Sequence, residues 1–266
     1  MIIGFWSEEP GKGSSTYNMI ASGISLSAKC KERVILMQGK KDYNRIEYAF
    51  TPYDSSGILK EDYGYYNYGG VDSLINKVEN GIINDSEFSK ELVQIRKSNL
   101  YYLPSSRSEN EDNFRKRFMD NYDKLSTFLA KTKDIVMLEL NSGLEYLTDN
   151  VINQLDLLVI NIPQNTKAIK MVNSNNKIMD KAVFIIGCYD MDSEYSINNI
   201  RRMYGIDEKR IYAVPYNVRF KDAICGGRSL EFYERHSTRE RNDSEFEFMK
   251  NLDMLSEMIM KRCKVG

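Results

Sequence analysis

Residues 2–16 have the sequence IIGFWSEEPGKGSST, in which an apolar segment leads into a glycine-containing turn and then into hydroxyl residues. A strand, a glycine turn and a helix start together form the framework of a phosphate-binding loop. Such a loop directs backbone N–H groups at phosphate oxygens. The residues that can supply this cradle are Gly11, Lys12, Gly13, Ser14, Ser15 and Thr16. By position, the Ser15 hydroxyl would also hold magnesium.

The loop departs from the strict pattern G-x-x-x-x-G-K-[ST], because Ser14 stands where the pattern has lysine. That lysine normally contributes a positive charge beside the phosphates, and Lys12 is the candidate substitute. Two interpretations are therefore open. The segment is either a nucleotide-binding loop or a turn that only packs a strand against a helix.

Composition limits the classes of function. The chain has 266 residues, 42% of them hydrophobic, which suits one domain spanning residues 1–266. Its 37 basic residues nearly balance its 38 acidic ones, so there is no overall basic field to favour nucleic acid. The four cysteines form no C-x-x-C pair, which argues against a disulfide framework or a zinc site. Cys188 and Cys225 are predicted to be small core residues.

No secretory signal and no apolar run of membrane-spanning length is visible in the sequence. We therefore expect a cytoplasmic protein whose membrane contact is at most peripheral. The only histidine, His236, lies in a charged segment at residues 235–245, which argues against a multi-histidine metal site. That segment and a Tyr/Gly-rich stretch at residues 63–70 are both interpreted as surface loops.

Short apolar runs alternate with longer amphipathic stretches, a pattern typical of an α/β fold. We predict a single doubly wound, mostly parallel sheet flanked by helices, as in P-loop NTPases. The predicted strands are Ile2 to Trp6, Val34 to Gln38, Leu100 to Leu103, Asp134 to Leu140, Leu157 to Ile162, Ala182 to Gly187 and Ile211 to Val214. The predicted helices are Ser15 to Cys30, Val71 to Asn80, Asp112 to Lys131, Leu144 to Leu155, Thr166 to Ser174 and Ile197 to Tyr204.

A last helix, at about residues 245–261, carries Phe248, Leu252, Leu255 and Ile259 on one face. This apolar stripe could dock on a membrane or pack on the sheet. The polar face mixes acidic and basic residues and lacks the basic bias of interfacial helices, which favours packing on the sheet.

The chain resembles the MinD/ParA superfamily of deviant Walker-A, SIMIBI-type P-loop ATPases. Within it, the TadZ/CpaE-like branch of Flp pilus assembly is the most similar. In the family's register K-G-G-x-G-K-[ST]-T, residues 9–16 are E-P-G-K-G-S-S-T, so Glu9 and Ser14 replace both lysines. Other similar segments are GVDSL at 70–74, NLYYLP at 99–104, LELNSG at 138–143, VPYN at 214–217 and the closing helix at 246–252.

The resemblance implies ATP or ADP as ligand, with Mg²⁺, and a homodimer that pairs across the nucleotide. Glu139 would replace the Walker-B aspartate and Gln38 would lie where the family tends to carry an acid, so both are candidate catalytic residues. Glu139 is equally interpretable as a buried acid paired with a neighbour. Gly143 would belong to the switch segment. Pro215, Tyr216 and Asn217 would border the adenine, although the residues alone indicate a simple strand-exit turn.

The changes at Glu9, Ser14, Gln38, Glu139 and Gly187 indicate weak or absent ATP hydrolysis. The expected function is that of a nucleotide-binding protein that helps localise or assemble a pilus or secretion apparatus, whose proteins would be its partners. Membrane association would then come through those partners. The alternatives are an active ParA/MinD-type ATPase that cycles on DNA or a membrane, and a nucleotide-free pseudo-ATPase scaffold.

Overall fold

The computed structural model describes residues 1–41, 45–51, 69–107, 110–165, 176–238 and 243–263. The helix predicted from Thr166 to Ser174 lies outside these residues. So do most of the Tyr/Gly-rich stretch at residues 63–70 and the middle of the charged segment at 235–245.

The described residues contain a single eight-stranded sheet. Its strands are β1 (Ile2–Trp6), β2 (Val34–Gln38), β3 (Val93–Gln94), β4 (Leu100–Tyr102), β5 (Ile135–Glu139), β6 (Leu157–Ile162), β7 (Ala182–Tyr189) and β8 (Ile211–Pro215). The spatial order is β3-β4-β2-β5-β1-β6-β7-β8. All neighbouring pairs are parallel except β3 with β4, which is antiparallel. The carboxyl ends of the parallel strands therefore meet at one edge of the sheet.

Helices cover both faces of the sheet. They are α1 (Ser15–Ser27), α2 (Val71–Glu79), α3 (Asp85–Glu91), α4 (Glu111–Asp120), α5 (Tyr122–Lys131), α6 (Asp149–Gln154), α7 (Asn176–Lys181), α8 (Ile197–Tyr204), α9 (Val218–Cys225), α10 (Ser229–His236) and α11 (Phe246–Cys263). Short 3₁₀ turns occupy Ile46–Ala49, Leu144–Tyr146 and Glu208–Arg210. The predicted α/β fold with a mostly parallel sheet is thus confirmed.

Alternate residues of the central strand pack on opposite faces of the sheet. In β1, Ile2 and Trp6 belong to one buried cluster, whereas Ile3 and Phe5 belong to the other. All five residues of this strand are buried, as expected for a parallel strand covered on both faces. The strand therefore fixes the following loop firmly at the middle of the sheet edge.

Two of the predicted helices differ from the structure. The helix predicted from Asp112 to Lys131 is two helices, α4 and α5, divided at Asn121. The helix predicted from Leu144 to Leu155 is a 3₁₀ turn followed by α6, whose start is capped by the Thr148 hydroxyl accepting from Val151 N–H at 3.3 Å. A cap residue next to a hydrophobic position starts a new helix rather than continuing an old one.

The last helix, α11, packs on the protein, as its mixed polar face predicted. Its four stripe residues, Phe248, Leu252, Leu255 and Ile259, are all buried. Hydroxyl contact between Ser25 and Ser256 at 3.0 Å and the Lys29–Asp253 ion pair at 2.9 Å join α11 to α1. The C-terminal helix thus supports the helix that follows the glycine loop.

None of the helices in the described ranges combines the length and the apolar character that a membrane crossing requires.

Candidate functional site

The glycine loop connects β1 to α1 at the carboxyl edge of the sheet, where β5 and β6 flank β1. Gly11 has a φ of +74°, and Ser14, which precedes α1, has a φ of +55°. Ser14 makes no side-chain cap to the helix; its hydroxyl lies 3.2 Å from the Cys188 thiol. Left-handed backbone on both sides of Gly13 turns the loop sharply back toward the helix.

The loop presents backbone donors that the protein itself does not use. Within the described residues, the N–H groups of Gly13, Ser14 and Ser15 donate to no other group, and Gly13 and Ser15 are buried residues. Adjacent unpaired N–H groups at a helix start, together with the helix dipole, favour an anion. A phosphate group therefore fits this cradle.

Two buried asparagines hold the loop in place. Asn18 Nδ2 donates to the Gly13 carbonyl at 3.2 Å and to Asn161 Oδ1 at 2.9 Å. Asn161 Nδ2 in turn donates to the Trp6 carbonyl at 3.1 Å. Neither asparagine was singled out from the sequence, because nothing in the order of residues brings β6 next to the loop.

The loop and its neighbouring strands approach so closely that two positions, Gly13 and Gly187, have no room for a side chain. A Cβ added to Gly13 would lie 2.4 Å from the Asn161 carbonyl oxygen. A Cβ added to Gly187, at the end of β7, would lie 2.7 Å from the Gly13 carbonyl oxygen. Gly187 therefore lets β7 approach the loop backbone.

Lys12 does not point its charge into the cradle. Its ammonium pairs with the Glu9 carboxylate, and the two side chains are 62% and 53% exposed. An exposed ion pair of this kind contributes little, and here it neutralises the one lysine of the loop. The loop therefore offers backbone donors without an inward lysine.

The two predicted catalytic residues lie side by side. Gln38 and Glu139 are register partners at the ends of β2 and β5, and Gln38 Nε2 donates to Glu139 Oε2 at 2.9 Å. Both side chains are fully buried. The Thr16 hydroxyl donates to Glu139 Oε1 at 2.7 Å, which joins this pair to the first turn of α1.

Two residues that the sequence reasoning missed complete this cluster. The Lys40 ammonium lies 3.0 Å from Glu139 Oε1, with only 16% of its side chain exposed. The Ser105 hydroxyl donates to Gln38 Oε1 at 2.6 Å. A lysine two residues after β2 was visible in the sequence, but only the strand order places it against β5.

Magnesium does not fit these residues well. The Ser15 hydroxyl, predicted as its ligand, lies 3.4 Å from Asn161 Nδ2, and Thr16 rather than Ser15 contacts the acid. The carboxylate in this contact, Glu139, is already paired with an ammonium. Mg²⁺ prefers oxygen ligands of negative charge, and a neighbouring lysine opposes it.

Gly143 lies beside the start of the loop. Its carbonyl accepts a hydrogen bond from Trp6 Nε1 at 3.2 Å, and its φ is +104°. The preceding residue, Ser142, has its hydroxyl 3.3 Å from that of Ser7. The segment after β5 is thus attached to the end of β1 through side chains of both.

Pro215 ends β8, the outermost strand on the far side of β6 and β7, and Tyr216 and Asn217 follow it. Asn217 caps α9 by accepting from Phe220 N–H at 2.8 Å, and its amide donates to Glu245. Tyr216 is half exposed. These residues share the sheet edge with the loop and also form a helix-starting turn.

Tyr17 connects the two parts of this edge. Its ring lies edge-to-face on Phe220 of α9, with 5.2 Å between centroids. Burial is the main reason that the pKa of the Tyr17 phenol is raised, and the nearby Cys188 and Tyr216 add to it. The first turn of α1 therefore packs directly against the region after β8.

The prediction that Cys188 and Cys225 are core residues is wrong, because both are exposed. Cys188 has a φ of +48° near the end of β7, where the register with β8 shifts between Ile186 and Tyr189. Cys225 is the last residue of α9. Cys30, in contrast, is buried, and burial raises its pKa to about 11, as it does for Cys263.

We expect two of the four thiols to react rapidly with Ellman's reagent at pH 8. Cys188 and Cys225 are exposed, whereas pKa values of about 11 leave Cys30 and Cys263 with little thiolate at that pH. Single Cys→Ser variants assign the fast phases, and all four thiols should react in urea. Fast labelling of Cys30 in the folded protein would contradict the burial described here.

Comparison with known proteins finds similarity only at the level of structure. No protein-family model and no curated protein matches the chain. A ParA family ATPase from Chlorobium tepidum matches with a TM-score of 0.70 at 13% identity, covering 96% of this chain and 98% of the other. MinD from Pyrococcus horikoshii, complexed with Mg-ADP, matches with a TM-score of 0.64 at 13% identity, covering 98% and 96%.

A third solved structure, a putative plasmid partition protein from Borrelia burgdorferi bound to AMPPNP, matches with a TM-score of 0.60 at 14% identity. This match covers 98% of each of the two chains. These matches extend over nearly all of the sheet and its helices, and identities this low bear on architecture alone. With its mostly parallel eight-stranded sheet and its glycine loop after the central strand, this chain has the fold of the ParA/MinD ATPases.

Proposed function

We propose that this protein is an atypical ParA/MinD-like protein that binds ATP or ADP and hydrolyses ATP weakly or not at all. In this proposal it resembles the TadZ/CpaE-like branch and helps localise or assemble a pilus or secretion apparatus. Nucleotide then acts as a structural ligand or a slow switch.

The main support for nucleotide binding is the arrangement of backbone N–H groups in the glycine loop. Its backbone N–H groups at residues 13–15 have no acceptor among the residues that the structure describes, and Asn18 and Asn161 hold the loop at the start of α1. These features support binding of a phosphate. Two of the similar structures, MinD from Pyrococcus horikoshii and the Borrelia protein, hold Mg-ADP and AMPPNP respectively.

Weak turnover follows from the charges around the loop. Phosphoryl transfer relies on positive groups that stabilise charge as it develops on the phosphates. The two lysine positions of the family pattern hold Glu9 and Ser14, and Lys12 pairs with Glu9 at the surface. Backbone amides are enough to bind a nucleotide weakly, but they supply less of this stabilisation.

Nucleotide binding is tested by isothermal titration calorimetry with ATP and with ADP. We expect saturable heat for both ligands and a rise in melting temperature with either one. The absence of heat and of any thermal shift up to millimolar ligand would remove nucleotide from the proposal and leave a nucleotide-free scaffold.

A matched pair of loop variants places the phosphates. Gly11 is exposed, has a φ of +74° and has no atom within 4 Å of an added Cβ, so both Asp and Asn fit there. We expect Gly11→Asp to weaken ATP binding at least about tenfold through charge repulsion, while Gly11→Asn stays near wild type. Equal affinities for the two variants would show that the phosphates lie elsewhere.

The homodimer of this proposal would use the sheet edge that carries the loop. Exposed apolar side chains at this edge support it: Leu144 follows β5, and Tyr216 and Val218 follow β8. Light scattering after size-exclusion chromatography, with and without ATP, tests the dimer. A monomer under every condition would contradict it.

The assembly role rests on the resemblance and requires a cellular test. Deleting the gene in its native host should reduce the number of surface pili or the amount of secreted product. Complementation with wild type should restore it, and complementation with the Gly11→Asp variant should not. Unchanged pili and secretion in the deletion strain would exclude this role.

A further inference from the structure

Lys40 places its positive charge next to Glu139, the buried acid close to the phosphate loop. Its ammonium and the Thr16 hydroxyl both bind Oε1 of Glu139, at 3.0 and 2.7 Å. Glu139 is completely buried, so its charge interacts mainly with these groups and with the Gln38 amide. The lysine therefore belongs to the same cluster as the first turn of α1.

A divalent cation beside nucleotide phosphates serves to neutralise their charge. In phosphate loops, it lies between a hydroxyl at the helix start and an acid at the end of a neighbouring strand. Here the acid is Glu139, and the positive group that it binds is the Lys40 ammonium, which is part of the chain itself. A magnesium ion added there would stand next to Lys40 and be repelled by it.

The hydroxyls of the loop agree with this arrangement. Ser15, the position that would ligate the metal, has its hydroxyl 3.4 Å from Asn161 Nδ2, on the side of β6. Thr16 turns to Glu139 instead, on the side of β5. The Ser15 hydroxyl, which would ligate the metal, therefore lies toward β6, whereas the acid Glu139 lies on β5.

We propose that the Lys40 ammonium takes the place of the divalent cation, so that the site binds ATP or ADP without a metal. This inference depends on the nucleotide binding proposed above. It predicts an unusual response to chelation: EDTA should leave affinity intact, because the neutralising charge is covalently part of the chain.

The experiment is a calorimetric titration with ATP and ADP, in EDTA and in excess Mg²⁺. For the wild-type protein, we expect a dissociation constant in EDTA no larger than the one in Mg²⁺. Affinity that falls about tenfold or more in EDTA overturns the inference but leaves the proposed function intact. No binding in either buffer overturns both.

Lys40 variants identify the charge responsible. Lys40→Met should weaken binding in EDTA about tenfold or more, with partial recovery in Mg²⁺, because the vacated acid can then accept the ion. Lys40→Arg should keep metal-independent binding, and Lys41→Met serves as the matched control beside it. Unchanged affinity of Lys40→Met in EDTA would overturn the assignment.

A buried carboxylate left without its partner could unfold the protein. The double variant Lys40→Met with Glu139→Gln removes both charges together and avoids this. Circular dichroism checks that it is folded. It should bind nucleotide weakly in EDTA and gain nothing from Mg²⁺, since neither the ammonium nor the acid remains. Wild-type affinity in EDTA for this double variant would overturn the inference.

Discussion

The Glu139→Ala variant should lose about 3–5 kcal/mol of the free energy of unfolding, because it leaves the Lys40 ammonium beside a buried cavity. Glu139 is fully buried and accepts from three side chains, those of Thr16, Gln38 and Lys40. Each donor loses its acceptor at once. Urea unfolding followed by circular dichroism measures the change.

A double variant separates charge from packing. Adding Lys40→Met to Glu139→Ala removes the ammonium that has lost the Glu139 carboxylate, so about 1–2 kcal/mol of the loss should return. If the double variant is as unstable as Glu139→Ala alone, the cavity and not the charge causes the loss.

The Glu139→Ala variant also tests catalysis. We expect the wild-type protein to show little or no steady ATPase activity, so the substitution should change the measured rate little. A steady rate in wild type that disappears in the Glu139→Ala variant would favour the cycling ATPase over the adaptor.

The Gly13→Ala variant should be destabilised by about 3 kcal/mol, because the new methyl group would lie 2.4 Å from the Asn161 carbonyl oxygen. Neither partner can yield easily, since Asn161 lies in the buried strand β6 and the Gly13 carbonyl is held by Asn18. Thermal and urea unfolding measure the effect.

Gly11→Ala is the matched control in the same loop. Its φ of +74° disfavours alanine by about 1–2 kcal/mol, but no atom lies within 4 Å of the new methyl group. We therefore expect the smaller loss here. A Gly13→Ala variant as stable as Gly11→Ala would show that the contact between the loop and β6 is looser than described.

Much of the fold was predictable from the sequence because parallel strands are buried on both faces. β1, β2 and β6 were predicted with their observed boundaries, since each consists mostly of apolar residues. The strand β3 was missed because its two residues are exposed and pair antiparallel at the sheet edge. A segment of two residues is too short for a sequence pattern to mark it as a strand.

The helices near the C-terminus were harder to predict. α9 and α10 have eight residues each and are separated by Gly226, Gly227 and Arg228, so neither gives a long periodic signal. Their existence depends on packing, as the contacts of Phe220 with Phe232 and Phe248 illustrate. Local sequence does not contain that information.

The candidate site was only partly visible in the sequence. The loop and the acid at the end of β5 were recognised from motifs, which are continuous in the chain. Lys40 follows β2, Asn18 lies in α1 and Asn161 lies in β6, and they meet only because the strand order is β2-β5-β1-β6. Strand order is set by the whole sheet, so a local pattern cannot reveal which distant side chains face the loop.

The contact between the loop and the ends of β6 and β7 has a consequence for how a ligand would bind. Asn18, Asn161 and the close approach of Gly187 fix the backbone of Gly13 before any ligand arrives. A receptor that is already ordered loses little conformational entropy on association, so more of the contact energy remains as affinity. The weak electrostatics of the loop thus lower the affinity, whereas its rigid backbone raises it. Association should be a single rapid step without a slow rearrangement of the protein.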